Sequence, residues 1–155
     1  MAANATPDVE KDRQEILRLH TVWLNANCGL HIDGMREVFV GGDKFHGFNL
    51  NTHTYYQVDE WARLWEYLRD SHFSIEKVDS TDVRITVKGD LGWLAWEGQI
   101  KATMPDGSAM PGSDRIRGTE VYVREDAQGN PVWKMWHCHF SPCAPDDKPR
   151  MGFES

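Results

Sequence analysis

The chain has 155 residues and carries 17 lysines and arginines against 24 aspartates and glutamates, which leaves a formal net charge of -7. A surface of this charge repels nucleic-acid phosphates and anionic lipids, so we expect neither as a partner. Its three cysteines, Cys28, Cys138 and Cys143, form no even-numbered disulfide framework and no zinc-binding pair of C-x-x-C motifs. These features predict one soluble, cytoplasmic domain over residues 1–155, with a core at about 7–143 and an extended tail at 144–155.

Apolar residues at helical spacing predict three helices in the first half of the chain. Thr6-Pro7 is typical of a helix start, and the first helix is expected to end near Cys28-Gly29. A short second helix is predicted over 33–38 and a third over about 58–69. The third helix carries one apolar stripe, formed by Trp61, Leu64, Trp65 and Leu68.

From residue 73 onward the apolar period changes from 3.6 to 2, which indicates strands. A strand over 73–78 leads into another over 83–87, and Lys88-Gly89-Asp90 is a turn. Further strands are predicted over 91–103, 118–125 and 133–141, and an earlier short one over 44–49. Helices followed by antiparallel hairpins indicate an α+β fold in which the helices pack on one face of a curved, mostly antiparallel sheet.

Three short motifs occur in order along the chain: Leu24-Asn25-Ala26 at a helix end, Asp106-Gly107-Ser108-Ala109-Met110-Pro111 between two long strands, and Trp133-x-x-Trp136-His137-x-His139-x-Ser141 in the last strand. Together they resemble the nuclear transport factor 2 (NTF2) superfamily over roughly residues 10–145. The helix-end motif is similar to a pattern found across the superfamily. The other two are similar to a D-G-x-x-x-P loop and a W-x-x-V-H-x-H-x-S ending in the association domain of calcium/calmodulin-dependent protein kinases. The SnoaL-like branch is the part of the superfamily that the chain resembles most.

The resemblance implies a cone-shaped fold, in which a bent sheet wraps around a long helix and encloses a pocket open at one end. Members use this pocket for isomerase, dehydratase and lyase chemistry, and also for non-catalytic binding and oligomerisation, so the fold does not select a reaction. The ketosteroid isomerase pattern maps only in part. Its helix tyrosine falls on His20, its catalytic aspartate beside His46-Gly47, and its oxyanion-hole acid near Glu120. The residue types differ, which argues against steroid isomerisation.

Four residues are the candidate catalytic groups: His46, Glu120, His137 and His139. On a strand the i, i+2 histidines point the same way, and we expect at least one ring to face the pocket as a general base or donor. The alternative is that both bond to sheet or tail groups. His46, between two phenylalanines, is the best single candidate for a base. Glu120 either is buried as a usable general acid or pairs with Arg117 or Arg84 across strands.

Five residues are candidates for substrate contacts: His20, Tyr55, Trp96, Arg117 and Tyr122. The resemblance favours the Trp96 side of its strand toward the pocket. Gly98 on the same side either gives room for a ligand or marks a bulge. Trp61 and Trp65, at i and i+4, are interpreted as core residues instead.

Two hypotheses follow for the function. The first is a cofactor-independent lyase, dehydratase or isomerase that acts by acid/base chemistry on a hydrophobic, phenolic small molecule. The second is a non-catalytic domain for small-molecule binding or oligomerisation. A weaker alternative is a His-x-His metal site with His46, Glu97 or Glu120 as third ligand, although no spacing fixes that ligand. We expect no cofactor, and we expect a homodimer through the exposed sheet face, which light scattering tests.

Overall fold

The computed structural model describes residues 8–145 and 147–152. In this part of the chain the helices are α1 (Val9–Asn27), α2 (Ile32–Val38) and α3 (Val58–Asp70). The strands are β1 (His46–Phe48), β2 (Thr54–Tyr55), β3 (Ser74–Lys88), β4 (Leu91–Thr103), β5 (Ile116–Arg124) and β6 (Trp133–Pro142). None of these helices combines the length and the apolarity needed to cross a membrane.

Besides shifts of one or two residues at several element ends, three features of the helices and strands differ from the predicted ones. The predicted start at Thr6-Pro7 lies outside the described residues, and Asp8 caps α1 by accepting a hydrogen bond from the Lys11 backbone N–H at 3.2 Å. The two strands predicted over 73–78 and 83–87 are the single strand β3, because a register shift between Thr81 and Arg84 absorbs the interruption in the pattern. The two-residue strand β2 was not predicted, since it is too short to show a period.

The strands form one sheet in the order β2-β1-β6-β5-β4-β3. Only the β1–β6 pair is parallel among the strand pairs of the described residues, and the other four pairs are antiparallel. The sheet has two faces, which we call the inner face, covered by the helices, and the outer face. The α+β fold with a curved, mostly antiparallel sheet is therefore confirmed.

The core lies between α1 and the inner face. Buried residues recur along α1 at three- and four-residue intervals, at Ile16, Leu19, His20 and Trp23. The Trp23 ring lies parallel to that of Trp65 on α3, with 5.5 Å between ring centroids, and to Phe140 on β6, at 5.9 Å. Stacked aromatic contacts thus join the first helix, the third helix and the last strand into one core.

A buried ion pair connects the start of α1 to the end of β5, and a hydrogen bond connects it to the start of β6. Asp12 is 6% exposed and accepts two hydrogen bonds from the Arg124 guanidinium, at 2.7 and 2.6 Å, and one from Trp133 Nε1 at 3.0 Å. These bonds, that from Arg124 first, lower the pKa of Asp12 below its ordinary value. A carboxyl group whose pKa is lower in the folded state stabilises the fold above its unfolded pKa, and that stability is lost as the pH falls through the folded pKa.

We expect Asp12→Asn to lower the free energy of unfolding by about 2 kcal/mol at neutral pH, a value kept small because Arg124 is partly exposed. The difference from the unsubstituted protein should shrink as the pH falls below about 4, where Asp12 itself becomes protonated. Urea unfolding across this pH range measures both quantities. Asp33→Asn, at an exposed position in α2, is the control and should change little. A loss of stability that does not depend on pH would contradict this account of Asp12.

Candidate ligand-binding site

A cavity of about 250 Å³ opens between α1, α3 and the inner face of the sheet. Among the described residues that line it, none carries an ionisable side chain. Apart from the indole rings, its polar side chains are those of Asn27, Asn49 and Asn51. Such a cavity is suited to a neutral, apolar molecule, because an ion would lose its hydration there without gaining a charged partner.

The two long helices supply three of the six aromatic side chains that line the cavity. From α1 come Trp23, Leu24 and Asn27, which follow one another around the buried side of its last turns. From α3 comes the whole predicted apolar stripe, which is Trp61, Leu64, Trp65 and Leu68. The interpretation of Trp61 and Trp65 as core residues was therefore incomplete, since both are buried and both also line the cavity.

Two loops reach the same cavity. The connection between β4 and β5 contributes Met110 and Pro111, which belong to the predicted D-G-x-x-x-P loop. The segment after β1 contributes Asn49, Leu50 and Asn51. The site thus combines rigid aromatic walls with side chains carried by loops.

Beside the cavity, a buried hydrogen-bond network is centred on Glu120 of β5, whose exposure is 0%. His20 Nδ1 lies 3.0 Å from both carboxylate oxygens, Trp96 Nε1 donates to Oε1 at 2.9 Å, and the Tyr122 hydroxyl donates to Oε2 at 2.7 Å. Because a carboxylate only accepts, the His20 hydrogen is on Nδ1. Three donors from α1, β4 and β5 therefore meet on one carboxylate.

The network touches the cavity through Trp96, which both lines the cavity and donates to Glu120. Gly118 leaves space for this indole, since a Cβ atom there would lie 2.5 Å from Trp96 Nε1. At the other end, His20 Nε2 is 3.1 Å from the hydroxyl of the half-buried Ser80 on β3. The network therefore extends from the cavity wall to a partly exposed position on the sheet.

Burial changes the pKa values of two further groups near Glu120, the Tyr122 phenol and the Cys138 thiol. Burial, and then the Glu120 charge, raises the pKa of the Tyr122 phenol well above its ordinary value. The same two causes raise the pKa of the Cys138 thiol. Tyr122 is therefore held as a hydrogen-bond donor, and Cys138 is unsuited to act as a thiolate nucleophile.

The structure brings together four of the predicted site residues, His20, Trp96, Glu120 and Tyr122. Trp96 lines the cavity, on the side that the resemblance favoured. Glu120 is buried and pairs with neither Arg117 nor Arg84, which settles the alternatives for its location. Whether these residues act in catalysis or contact a substrate stays a prediction.

The expectation that His137 or His139 faces the cavity is wrong. Both lie on the outer face with the exposed His46, and the His46 and His137 ring centroids are 4.4 Å apart. The reason is the alternation of β6, in which the buried Cys138 and Phe140 occupy the inner positions. His137 Nδ1 donates to the His46 backbone carbonyl at 2.9 Å. Burial lowers the pKa of His137, which keeps that ring neutral near pH 7.

Of the five predicted substrate contacts, Trp96 alone lines the cavity, and Arg117 lies on the outer face. Arg117 is exposed, donates to Ser141 Oγ at 3.1 Å, and lines an outer groove of about 490 Å³ together with His139. Phe48 and Trp93 on this face are each 39% exposed. The predicted homodimer through this face stays a prediction.

Tyr55 lies next to the cavity wall without lining it. Its ring centroid is 5.3 Å from that of Trp61, and its hydroxyl accepts a hydrogen bond from Asn51 Nδ2 at 2.8 Å. Within residues 8–145 and 147–152, no three His, Cys, Asp or Glu side chains are grouped so that they could hold a metal ion. The weaker His-x-His metal hypothesis thus has no third ligand in that part of the chain.

The three asparagines at the cavity were not predicted as site residues. Asn27 closes the last turn of α1, where its Nδ2 donates to the Trp23 carbonyl at 2.8 Å. Asn49 and Asn51 flank Leu50 in a segment without regular periodicity. The only available signal was an Asn-x-Asn segment between a strand and the third helix, which is also common in ordinary turns.

A family model described as the SnoaL-like domain matches residues 16–145. The match covers most of the chain, so the chain belongs to the SnoaL-like domain family, the branch that its motifs resembled. No curated protein sequence matches the chain.

Three solved structures, two of them described as NTF2-like, share the fold of this chain. An NTF2-like superfamily protein from Salmonella enterica superposes with a TM-score of 0.76 at 16% identity, over 94% of this chain and 99% of that one. A proposed dehydratase from Streptomyces avermitilis has a TM-score of 0.70 at 18% identity, over 90% and 100% of the two chains. An uncharacterised protein with a cystatin-like fold from Caulobacter vibrioides has a TM-score of 0.68 at 17% identity, over 86% and 91%. At such identities the likeness shows the fold alone.

Proposed function

We propose that this protein binds a neutral, hydrophobic and largely aromatic small molecule, as ligand or substrate, in the cavity of its cone. The observation that carries the proposal is the lining, which combines four tryptophans with aliphatic side chains and has no ionisable group among the described residues. Flat indole surfaces favour aromatic rings through offset and edge-to-face contacts. Met104 and Met110 at the loop end supply flexible side chains that adapt to ligand shape.

Filling the cavity tests this proposal. Ile100→Trp places a large ring at a lining position that is only partly buried, so the substitution should fold while it excludes ligand. We expect it to weaken binding of aromatic alcohols and phenols at least tenfold, as measured by quenching of tryptophan fluorescence. Val132→Trp adds the same ring at an exposed position before β6 and is the matched control. Equal affinity in both variants would contradict binding in this cavity.

The second candidate function is catalytic: a cofactor-independent lyase, dehydratase or isomerase acting on the same class of molecule. The buried network around Glu120 favours it, because a Glu–His pair at 0% and 1% exposure is expensive to bury and adjoins the cavity through Trp96. Structural networks also bury such pairs, so activity assays must decide between the two candidates.

In the catalytic proposal, Glu120 takes a proton from the ligand or returns one to it. His20 supports the carboxylate through Nδ1 and exchanges a proton with the surroundings through Nε2 and Ser80. The Tyr122 hydroxyl and Trp96 Nε1 hold the carboxylate oxygens in place. Because no ionisable side chain lines the cavity, this chemistry requires Trp96 to change its position when the ligand binds.

Mass spectrometry of aromatic alcohols incubated with the protein detects loss of water or of a one-carbon fragment.

A further inference from the structure

The most unusual polar atom near the cavity is Nε1 of Trp61. It is buried and, among the buried side-chain nitrogen and oxygen atoms of the described residues, it alone has no hydrogen-bond partner. An unpaired buried donor costs about 1–3 kcal/mol, because folding removes its bond to water without replacing it. Such an atom in a folded protein calls for a specific explanation.

Other tryptophans of the chain show that this is not a general feature of its indoles. Trp96 Nε1 donates to Glu120, Trp133 Nε1 donates to Asp12, and Trp136 Nε1 donates to the Glu125 carbonyl, at distances of 2.9, 3.0 and 3.0 Å. Each of these indoles has an acceptor supplied by a neighbouring element. Trp61 is 2% exposed and its ring lines the cavity, so a ligand bound there lies against this indole, and a small rotation of the ring would bring Nε1 to an acceptor on the ligand.

Neutral polar groups lie close to Trp61. Tyr55, whose hydroxyl accepts from Asn51 Nδ2, packs against the Trp61 ring, and both Asn49 and Asn51 line the cavity. Asn49 Oδ1 accepts from the Leu50 backbone N–H at 2.6 Å, which leaves its amide nitrogen as a further donor. The polar groups near this wall are therefore neutral, and donors are prominent among them.

We propose that the ligand of this cavity carries an uncharged oxygen acceptor, such as a carbonyl or ether oxygen, that accepts a hydrogen bond from Trp61 Nε1. The inference rests on the proposed binding function and deepens it, because it selects oxygen-bearing aromatic compounds over plain hydrocarbons. A site with an unpaired buried donor binds a ligand that carries an acceptor more tightly than an analogue that lacks it. Recovering one such bond corresponds to about tenfold in affinity.

Pairs of probes that differ only at the acceptor test this proposal. We would compare 2-acetylnaphthalene with 2-isopropylnaphthalene and 2-methoxynaphthalene with 2-ethylnaphthalene, since each pair has nearly the same shape. In the full chain, the oxygen-bearing member should bind about tenfold more tightly. Trp61→Phe should remove this preference. Trp65→Phe, on the same helix and the same wall, should weaken both members alike and keep the preference.

The indole resonance of Trp61 in nitrogen–proton correlation spectra provides a second measurement that needs no variant. Its Nε1–H signal should move downfield with the oxygen-bearing probe and much less with the hydrocarbon. Equal affinities for both members of each pair, with equal shifts of this signal, would overturn the inference while leaving the binding function intact. If none of the four probes binds, the binding function fails and the inference fails with it.

Discussion

Replacing Glu120 by alanine is expected to lower the free energy of unfolding by about 3–5 kcal/mol. The substitution leaves three buried donors, on His20, Trp96 and Tyr122, without their common acceptor. It also opens a void where the side chain is 0% exposed, so water cannot readily replace the carboxylate. Urea unfolding followed by circular dichroism measures the change.

The substitution Glu120→Gln distinguishes the contribution of Glu120 to folding stability from any contribution to turnover. Glutamine keeps the size of the side chain and accepts from Trp96 as before, so most of the stability should remain. It cannot take up a proton at neutral pH, and if the protein is an enzyme its turnover should fall at least about a hundredfold. The affinity for ligand should change little, because Glu120 does not line the cavity.

Glu97→Gln is the matched control for the Glu120 variants. Glu97 lies on the outer face of the neighbouring strand β4, where its exposed carboxylate pairs with Arg115 at 3.2 Å. Its replacement should leave both the unfolding midpoint and any turnover nearly unchanged. If Glu120→Gln retains full turnover of a confirmed substrate, the catalytic proposal is wrong and the network is structural.

The second large effect is expected for Gly98→Ala, which should destabilise the protein by about 3 kcal/mol or more. An added Cβ atom would lie 1.9 Å from the Asp79 carbonyl oxygen of β3 and 2.7 Å from the Trp96 ring. A backbone oxygen cannot move aside as a flexible side chain would, so the β3–β4 pairing must shift. Ser80, which pairs with Gly98 and contacts His20, would be displaced with it.

Gly41→Ala is the control for this prediction, since its nearest non-neighbouring atom would be 3.5 Å from the new Cβ atom, an ordinary contact. It should have little effect on stability. Thermal unfolding of both variants distinguishes them, and a Gly98→Ala protein as stable as Gly41→Ala would contradict the close approach of β3 and β4. The structure thus explains Gly98 by the close approach of the β3 backbone at Asp79, and neither a bulge at this position nor ligand space is needed.

Periodicity along the chain was enough to predict most of the fold. The change from a 3.6-residue to a 2-residue period near Phe73 separates helices from strands, because the two backbones present their side chains at different intervals. It could not show that residues 74–88 form one strand, since a bulge shifts the alternation and mimics a break. Nor could it reveal the parallel pairing of β1 with β6, which joins segments about ninety residues apart.

The candidate site was predicted less well than the fold. His20, Trp96, Glu120 and Tyr122 were selected one by one, but their convergence depends on α1 crossing β4 and β5. The position of the two histidines was predicted wrongly because two side chains at i and i+2 of a strand share a face whichever face is inside. Which face of β6 points inward depends on the neighbouring Cys138 and Phe140. Burying these two side chains stabilises the core more than burying two imidazoles without partners.

The amino-acid order alone was sufficient for the class of fold, the family and the aromatic character of the interior, because these depend on local spacing, short motifs and composition. The choice of face for each strand and the assembly of the cavity required the folded chain. The strand β4 carries a tryptophan on each side, Trp93 and Trp96, so its pattern does not show which side is inside until the helices cover one face. Which donors lack acceptors, as Trp61 Nε1 does, depends on long-range packing that no local pattern encodes.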